Sequence, residues 1–303
     1  NTHYLGYNAN MLANEMYLDS ADLRSSVVSL AKQVGYTPTS ATCSSAIVDV
    51  LVNNAAGSTL TMTAGTQFTT TVDGQSYAFV NKEDVSITPI DGVFKFSNLS
   101  IFEGSYLNYK YTVSTSDIDQ RFVIPNDGVD TSTLTIKVQE SSSDSTTQTY
   151  KLATGITGLD STSKVYFLQE IETGRFEVYF GDGVLGKAVA DGNIIIMDYI
   201  TCNRNAPNGA ATFTLSGSIG GFSSATVTTV ENAANGSAKE TIKSIKYNAP
   251  RDYTAQDRAV TADDYKVLVK TLYANAQAVQ VYGGEDAEVP DYGKVYILSL
   301  IHI

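Results

Sequence analysis

The chain has few of the residues on which most enzyme and metal sites depend. Its 303 residues include no tryptophan, two histidines and two cysteines. Because His3 and His302 lie at opposite ends, a serine–histidine–aspartate triad and a zinc site of clustered ligands are both disfavoured. Cys43 and Cys202 are far apart in the sequence, so we expect two unpaired thiols in a reducing compartment. The sequence predicts no cofactor and no metal.

Positive charge is also scarce. Lysine and arginine total 20 against 32 aspartates and glutamates, which gives a formal net charge of −12. Nucleic acids and anionic membranes are bound by clustered basic residues, so neither is an expected partner. No apolar run approaches the roughly 20 residues that cross a bilayer as a helix. The length favours two domains, or three small ones, with enough apolar residues to bury a core.

The first 35 residues have a helical pattern. Apolar residues recur at steps of 4, 7, 4, 3 and 4, which makes a narrow stripe of near-heptad spacing. Asp19-Ser20 predicts a break into two helices, with Ser20 capping the second. A stripe of this width can pack on its own domain or on a partner helix, and the sequence leaves both alternatives open. The stripe consists of Leu12, Met16, Leu23, Val27, Leu30 and Val34.

From Ala46 the pattern changes to the period of two that is typical of β-strands. Asp73-Gly74 and Asp91-Gly92 are hairpin signals, and the polar segment 141–147 (SSSDSTT) predicts a loop or domain boundary. We expect an α+β protein that is predominantly β, with an N-terminal helical segment, two β-rich bodies, a docked helix and the start of a further α/β unit. The expected domains are 1–45, 46–140, 141–247 and 248–303. Predicted strands include 68–72, 77–80, 108–114, 165–168, 176–180 and 193–199.

Residues 244–267 (SIKYNAPRDYTAQDRAVTADDYKV) carry densely spaced polar and charged side chains. The residue before a proline is disfavoured in the helical region, so Ala249 is expected to leave it. The sequence then predicts a fixed, irregular ribbon that holds Arg251, Gln256 and Arg258. These arginines can bind another protein chain, or they can form intrachain ion pairs that fix the ribbon. The sequence leaves both alternatives open.

A helix start follows the predicted ribbon. The Thr261 hydroxyl can accept a hydrogen bond from the backbone amide of Asp264. Acidic residues such as Asp263 and Asp264 are favoured at the positive end of a helix. Tyr265 begins a run of residues at helical spacing. A catalytic site would need a nucleophile or base, and none lies in this stretch. The pattern therefore indicates a protein-recognition surface, with Arg251, Gln256, Arg258 and Tyr265 as candidate interface residues.

Other patterns that could carry chemistry have simpler structural interpretations. Residues 180–187 (FGDGVLGK) lack the serine or threonine and the following helix of a phosphate-binding loop. Asp182 and Asp191 lack the spacing of a calcium loop. Glu170, Glu172 and Glu177 could supply a glycosidase acid and base only if two of them faced each other across a cleft. The 19 tyrosines suit strand packing, although they keep a glycan-binding module open as an alternative.

Short motifs between residues 64 and 265 form a combined pattern, within a wider likeness that runs from Tyr4 to Ile297. The motifs are 64–66 (AGT), Asp73-Gly74, Phe79, 121–126 (RFVIPN), 129–134 (VDTSTL), 180–183 (FGDG), Gly186-Lys187, Asn208-Gly209, 245–251 (IKYNAPR), 256–261 (QDRAVT) and Asp264-Tyr265. Together they resemble the J-like baseplate proteins of contractile phage tails, and more narrowly the baseplate wedge subunits of T-even-type phages. The residues after Ile297 do not match the family pattern, and we expect a fragment of a longer protein.

The resemblance implies assembly and no enzymatic activity. Family subunits pair with a second copy of themselves, and the pairs join into a ring around the tail hub. They also pack against other wedge subunits, partly through a helical bundle, for which the stripe from Leu12 to Val34 is the candidate. The implied location is the virion baseplate, assembled in the host cytoplasm. The alternative function is an extracellular glycan-binding β-rich module.

Overall fold

The computed structural model describes residues 2–53, 55–117, 120–153, 155, 158–255, 258–272, 276–287 and 289–301. The chain separates into two compact units, each built from non-contiguous segments. The first unit contains Asn1–Thr39, Gln169–Gly174 and Glu240–Ile303, and the second contains Ser40–Leu168 and Arg175–Lys239. The sequence analysis expected four consecutive domains instead, and their boundaries stay a prediction.

Strands outnumber helices in the described part of the chain, which confirms the predicted α+β class with predominant β structure. None of the described helices is both long and apolar enough to cross a membrane. The helices are α1 (Thr2–Asn14), α2 (Arg24–Gln33), α3 (Ile242–Ala255) and α4 (Ala262–Leu272).

The strands before residue 240 form two large sheets and one small one. The six-stranded sheet has the order β14-β3-β4-β6-β1-β15, the seven-stranded sheet has the order β7-β13-β9-β10-β11-β12-β8, and β2 pairs with β5. The strands are β1 (Ser45–Val52), β2 (Leu60–Met62), β3 (Gln67–Val72), β4 (Gln75–Val80), β5 (Val85–Ile87), β6 (Phe94–Glu103), β7 (Ser105–Thr112), β8 (Phe122–Val123), β9 (Val129–Ser141), β10 (Asp144–Leu152), β11 (Val165–Glu170), β12 (Phe176–Phe180), β13 (Ile194–Thr201), β14 (Thr214–Leu215) and β15 (Ala225–Ala234).

Each large sheet has its own apolar core. In the six-stranded sheet β1 lies between β6 and β15, and every second residue of it is buried, as expected for one face of a strand. In the seven-stranded sheet β13 lies between β7 and β9, and Ile195 to Ile200 are all buried. When both faces of a strand are buried, its sequence is expected to be a nearly continuous apolar run.

The predicted turn at Asp73-Gly74 is confirmed. Strands β3 and β4 pair antiparallel on either side of it, with Gln67 opposite Val80 and Val72 opposite Gln75. Asp73 and Gly74 have φ angles of 50° and 78°. A two-residue turn with positive φ at both positions matches the right-handed twist of its strands, and aspartate–glycine adopts it with little strain.

The polar segment 141–147 is not one loop, because only residues 142–143 form a turn and 144–147 begin β10, whereas the expected domain boundary there stays a prediction. Ser141 ends β9, Asp144 begins β10, and the two strands pair antiparallel in the seven-stranded sheet. Most of the first residues of β10 are exposed. Strands pair through their backbones, so serine and threonine side chains that face solvent do not prevent pairing. A polar composition alone therefore does not exclude a strand.

In the first unit α2 packs against α3 through small and branched residues. Because these side chains recur at helical spacing on both helices, they form one apolar seam. The buried residues of this core are Ala21, Val27, Val28, Ala31, Ile245 and Ala249.

Helix α3 continues through Pro250 to Ala255, so the predicted ribbon at 248–255 is wrong. Ile245 and Ala249, one turn apart, are both fully buried in the seam with α2. Burial of this face outweighs the local preference of the residue before a proline. Residues 258–261, which precede α4, are non-helical and include Arg258, whereas Gln256 lies outside the described residues.

The first unit also contains a two-stranded antiparallel sheet. Its strands are β16 (Ala276–Gly283) and β17 (Val295–Ile301), and a short 3₁₀ helix (Gly284–Asp286) follows β16. The two strands and the segment between them form a strand–loop–strand unit.

Candidate protein-interaction surfaces

The predicted apolar stripe divides into an exposed half and a buried half. Val27 is fully buried, and Leu30 and Val34 pack partly buried against the same core of α2 and α3. The exposed half, with its neighbours, forms what we call the N-terminal apolar surface. It consists of Met11 (50 % exposed), Leu12 (70 %), Met16 (68 %), Tyr17 (69 %) and Leu23 (57 %).

The turn between α1 and α2 is fixed by Glu15. Its carboxylate accepts the backbone N–H groups of Asp22, at 2.9 Å, and Leu23, at 3.3 Å. Hydrogen bonds from Ser26 and from the Asp22 amide hold the pKa of Glu15 below its ordinary value. A carboxylate at the start of a helix also suits the helix dipole. Glu15 therefore fixes the direction in which α1 leaves α2.

Ser20 does not cap α2, which corrects the sequence prediction. Leu23 occupies the N-cap position without a side-chain cap, and the Ser20 hydroxyl donates to the Asn14 carbonyl at 2.6 Å. Ser20 thus satisfies an acceptor at the end of α1. The carboxylate next to the start of α2 is that of Glu15, which lies upstream in the sequence and bonds the two amides just before the helix.

Glu240 ties the start of α3 to the segment that follows α2. Its carboxylate accepts the Tyr36 hydroxyl at 2.9 Å, the Ser244 hydroxyl at 2.7 Å and the Asn248 side-chain amide at 2.8 Å. Burial and the adjacent Glu240 charge raise the pKa of Tyr36, so the phenol stays a neutral donor. This network fixes the orientation of α3, the helix that carries Arg251.

Arg251 is exposed on α3, and its own helix holds the guanidinium in place. The guanidinium lies 3.5 Å from the centre of the Tyr247 ring, and Nη1 donates to the Tyr247 carbonyl at 2.7 Å. Stacking on an aromatic ring is a favoured arrangement for arginine, and it limits the number of side-chain conformations. One face of the guanidinium is therefore covered, and the side chain is ordered before any partner binds.

A cavity of about 190 Å³ lies beside Arg251 in the first unit. It is a small polar depression, because charged and amide side chains from α3 and α4 form much of its wall. The Lys266 ammonium holds the pKa of Asp263 below its ordinary value, and the Arg251 charge contributes to this effect. The lining residues are Tyr247, Asn248, Arg251, Asp263, Lys266, Val267 and Val279.

The predicted cap of α4 is confirmed. The Asp264 amide donates to the Thr261 hydroxyl at 3.2 Å, and the Thr261 amide donates to the Asp264 carboxylate at 2.8 Å. These reciprocal bonds form a capping box. Backbone hydrogen bonds from Thr261 and Val260 lower the pKa of Asp264, and the Arg258 charge acts in the same direction.

Both candidate arginines lie near the start of α4. Arg251 influences Asp263, and Arg258 influences Asp264. Both arginine side chains are exposed, and the choice between a partner chain and intrachain ion pairs stays a prediction. Tyr265 is half-buried on α4. We call the exposed group of Tyr247, Arg251 and Arg258, together with Tyr265, the arginine surface.

Two features of these surfaces were missed in the sequence. The stacking of Arg251 on Tyr247 joins residues four apart, and that spacing would have indicated it if α3 had been predicted as a helix. The ion pair of Arg24 with Glu170 joins residues that are 146 positions apart, and no local pattern could indicate it.

The alternative chemical interpretations do not gain support from the described residues. Glu170 and Glu177 are each engaged by an arginine, Arg24 and Arg121 respectively. The Asp182 carboxylate accepts the amides of Val184 and Leu185, as expected for a tight turn.

Comparison with known proteins points to the phage tail. The family model described as baseplate structural protein gp6, C-terminal domain I, matches residues 261–299. These residues contain α4, β16 and most of β17. The chain is 25 % identical, over 319 aligned residues, to the baseplate wedge protein gp6 of Enterobacteria phage T4. The alignment covers 96 % of this chain and 47 % of that protein, so the chain spans about half the length of the relative. The resemblance to baseplate wedge subunits is confirmed.

Proposed function

We propose that the chain is a structural subunit of a phage tail baseplate wedge. It self-associates into a ring around the tail hub and contacts other wedge proteins as part of the contraction and injection machinery. The similarity to a baseplate wedge protein along nearly the whole chain is the observation that carries this proposal. The chain acts without catalysis, in the virion tail, after assembly in the host cytoplasm.

The N-terminal apolar surface is the proposed contact with other wedge subunits. Contiguous exposed apolar side chains on a helix are typical of a surface that packs against a partner helix. Leu12 lies on α1 and Met16 in the turn that follows it, and both are about two-thirds exposed. The Glu15 cap fixes this surface relative to α2, so little ordering is needed when a partner helix binds.

The arginine surface is the proposed contact with a second copy of the chain. Arginine and tyrosine are enriched at protein interfaces, and stacking already orders Arg251. A carboxylate of the second copy would pair with the exposed edges of Arg251 and Arg258 in a geometry that selects one orientation. The negative net charge of −12 supplies many such carboxylates on each copy.

A ring that changes diameter during contraction needs rigid bodies connected by contacts that can rearrange. The two large sheets, each with a buried apolar core, are suited to the rigid part. The exposed surfaces on α1, α3 and α4 are suited to the contacts.

The proposal is tested by multi-angle light scattering of the purified chain, alone and mixed with the other wedge subunits of its virion. We expect a species larger than one chain alone, and a still larger species in the mixture. Leu12→Asp/Met16→Asp should abolish the mixed species, because a carboxylate would be buried between helices. Ile90→Asp, in an exposed turn of the second unit, is the matched control.

Self-association is tested separately with Arg251→Ala/Arg258→Ala. This variant should lose the self-associated species while its circular dichroism spectrum and melting temperature stay close to those of the wild type. Arg175→Ala is the control, because Arg175 makes an exposed ion pair elsewhere in the chain. If Leu12→Asp/Met16→Asp and Arg251→Ala/Arg258→Ala both assembled normally, the assigned surfaces would be wrong. Saturable binding of the wild-type chain to a glycan panel would support the alternative function.

A further inference from the structure

The two cysteines, which are distant in sequence, lie against each other in the second unit. Cys43 is buried in a small apolar cluster with Val80 and Ile200, and Cys202 packs against this cluster. The Cys43 and Cys202 side chains are hydrogen-bonded to each other. Both are free thiols. The two thiols are unpaired, as expected, but they are adjacent, which their separation in the sequence did not indicate.

The backbone at both cysteines is anchored to the start of β9. The Cys43 amide donates to the Asp130 carboxylate at 2.7 Å, and the Cys202 amide donates to the Gly128 carbonyl at 3.0 Å. Asp130 is itself fixed, because its other carboxylate oxygen accepts the amide and the hydroxyl of Ser132. The shared anchor holds the two cysteines at a defined separation.

The pair lies where the two large sheets of the second unit are connected. Cys43 lies just before β1, a strand of the six-stranded sheet. Cys202 directly follows β13, a strand of the seven-stranded sheet. A covalent bond between the sulfur atoms would therefore join the two sheets. A cross-link that closes a long stretch of chain restricts the unfolded ensemble, and so it favours the folded state.

The two thiols differ in the way that thiol–disulfide exchange requires. Cys43 is 3 % exposed, and its hydrogen bond to Cys202 together with burial raises its pKa. Cys202 is half-buried, and the hydrogen bond from Cys43 lowers its pKa, although burial and the charges of Asp130 and Glu103 oppose this. Cys202 is the more exposed thiol, so it is the sulfur that a small disulfide can reach, and the buried Cys43 is the resolving thiol.

We propose that Cys43 and Cys202 form a redox modification site, at which an oxidised small thiol such as glutathione disulfide closes a disulfide between the two sheets. The Cys202 thiolate attacks one sulfur of glutathione disulfide, the bond between its sulfurs breaks, and one glutathione thiolate leaves. The Cys43 thiol then loses its proton to solvent and attacks the Cys202 sulfur, which expels the second glutathione thiolate. The chain is oxidised by two electrons, and glutathione disulfide is reduced to two thiols.

Such a site suits a protein that passes from a reducing to an oxidising environment. Small-thiol pools keep cysteines reduced inside cells, whereas disulfides persist outside them. The reduced pair allows the second unit to fold in the cytoplasm, and the disulfide stabilises it afterwards. The passage between these environments rests on the proposed function, whereas the exchange reaction itself rests on the adjacency of the two thiols.

The experiment treats the folded chain with glutathione disulfide, blocks remaining thiols with N-ethylmaleimide and measures intact mass. We expect the wild type to lose the mass of two hydrogens and to take up no maleimide. Peptide mapping should show a Cys43–Cys202 cross-link within one chain. The oxidised chain should melt at a higher temperature than the reduced chain, and dithiothreitol should reverse the difference.

Two variants separate the roles of the thiols. Cys43→Ser should accumulate one glutathione on Cys202, because no resolving thiol remains. Cys202→Ser should stay unmodified while folded, because Cys43 is buried. Cross-links only between chains, stable glutathione adducts on the wild type, or oxidation only after addition of urea would each overturn the proposal. The wild-type mass and peptide map decide the outcome even if a variant fails to fold.

Discussion

Arg24 holds Glu170 in a two-point ion pair. Arg24 Nε lies 2.7 Å from one carboxylate oxygen, and Nη2 lies 2.8 Å from the other. The Glu170 side chain is fully buried, whereas 20 % of the Arg24 side chain is exposed. The remaining Arg24 nitrogen donates to the Glu240 carbonyl. One guanidinium therefore connects α2, the segment Gln169–Gly174 and the chain that leads into α3.

Removal of Arg24 should strongly destabilise the first unit. Arg24→Met leaves the Glu170 carboxylate buried without a partner, which costs about 3–5 kcal/mol of unfolding free energy. Arg24→Met/Glu170→Met should recover most of this loss, because no charge is then buried. Urea unfolding of the two variants and of Glu170→Met completes a double-mutant cycle.

A matched control uses an exposed pair of the same type. Arg175 Nε lies 3.1 Å from Asp127, and the two side chains are 43 % and 81 % exposed. Arg175→Met should change the unfolding free energy by no more than about 1 kcal/mol, because water screens exposed pairs. Equal losses for Arg24→Met and Arg175→Met would show that burial does not govern the strength of the Arg24 pair.

Helix α4 should depend on the Thr261 hydroxyl. Thr261→Ala removes the acceptor of the Asp264 amide and should cost about 1 kcal/mol. Hydrogen exchange of the α4 amides measures the effect locally, and the first turn should exchange faster. Thr254→Ala is the control, because the Thr254 hydroxyl donates to a carbonyl within α3 and caps no helix start. Unchanged exchange in α4 would contradict the assigned cap.

Glu103 should make stability depend on pH in the weakly acidic range. Burial raises its pKa above the ordinary value of 4.5, although hydrogen bonds from Asn203 oppose this shift. The folded state thus binds a proton more tightly than the unfolded state does. The resulting stabilisation is complete below pH 4.5 and is lost as the pH rises through the higher folded pKa.

Glu103→Gln tests this dependence, because glutamine is neutral at every pH and can still pair with the Asn203 amide. Urea midpoints measured from below pH 4.5 to neutrality should fall less steeply for the variant than for the wild type. Glu83→Gln, at an exposed carboxylate of the same unit, should leave the wild-type profile unchanged. If the urea midpoints of Glu103→Gln and of the wild type changed equally with pH, Glu103 would not be the source of the pH dependence.

Local patterns in the sequence predicted local structure well. Asp73-Gly74 specifies its hairpin because the turn geometry depends on those two residues. The apolar run around Ile195 predicted a strand, since burial on both faces removes polar positions. The Thr261 cap was also predictable, because both of its hydrogen bonds join residues three apart.

Features that depend on distant parts of the chain could not be predicted in this way. The stripe residues Leu12 and Val27 look alike in sequence, but only Val27 faces α3, from which more than 200 positions separate it. Pro250 lies inside a helix because the face of α3 that packs on α2 is buried. The proposed roles of Leu12, Met16, Leu23, Arg251, Arg258 and Tyr265 concern contacts with other chains, which no pattern within one chain determines, so these roles stay predictions.

Replacement of Pro250 should stabilise α3. A proline inside a helix removes one backbone donor and crowds the preceding turn, at a cost of about 3 kcal/mol in a regular helix. Pro250→Ala supplies an amide to the Lys246 carbonyl and should raise the unfolding free energy by about 1–2 kcal/mol, since greater freedom of the unfolded chain offsets part of the gain. Pro290→Ala, at an exposed non-helical position of the same unit, should give no gain. If Pro250→Ala is destabilising, the proline is needed to fit α3 against α2, and the packing of Ala249 sets the shape of the helix.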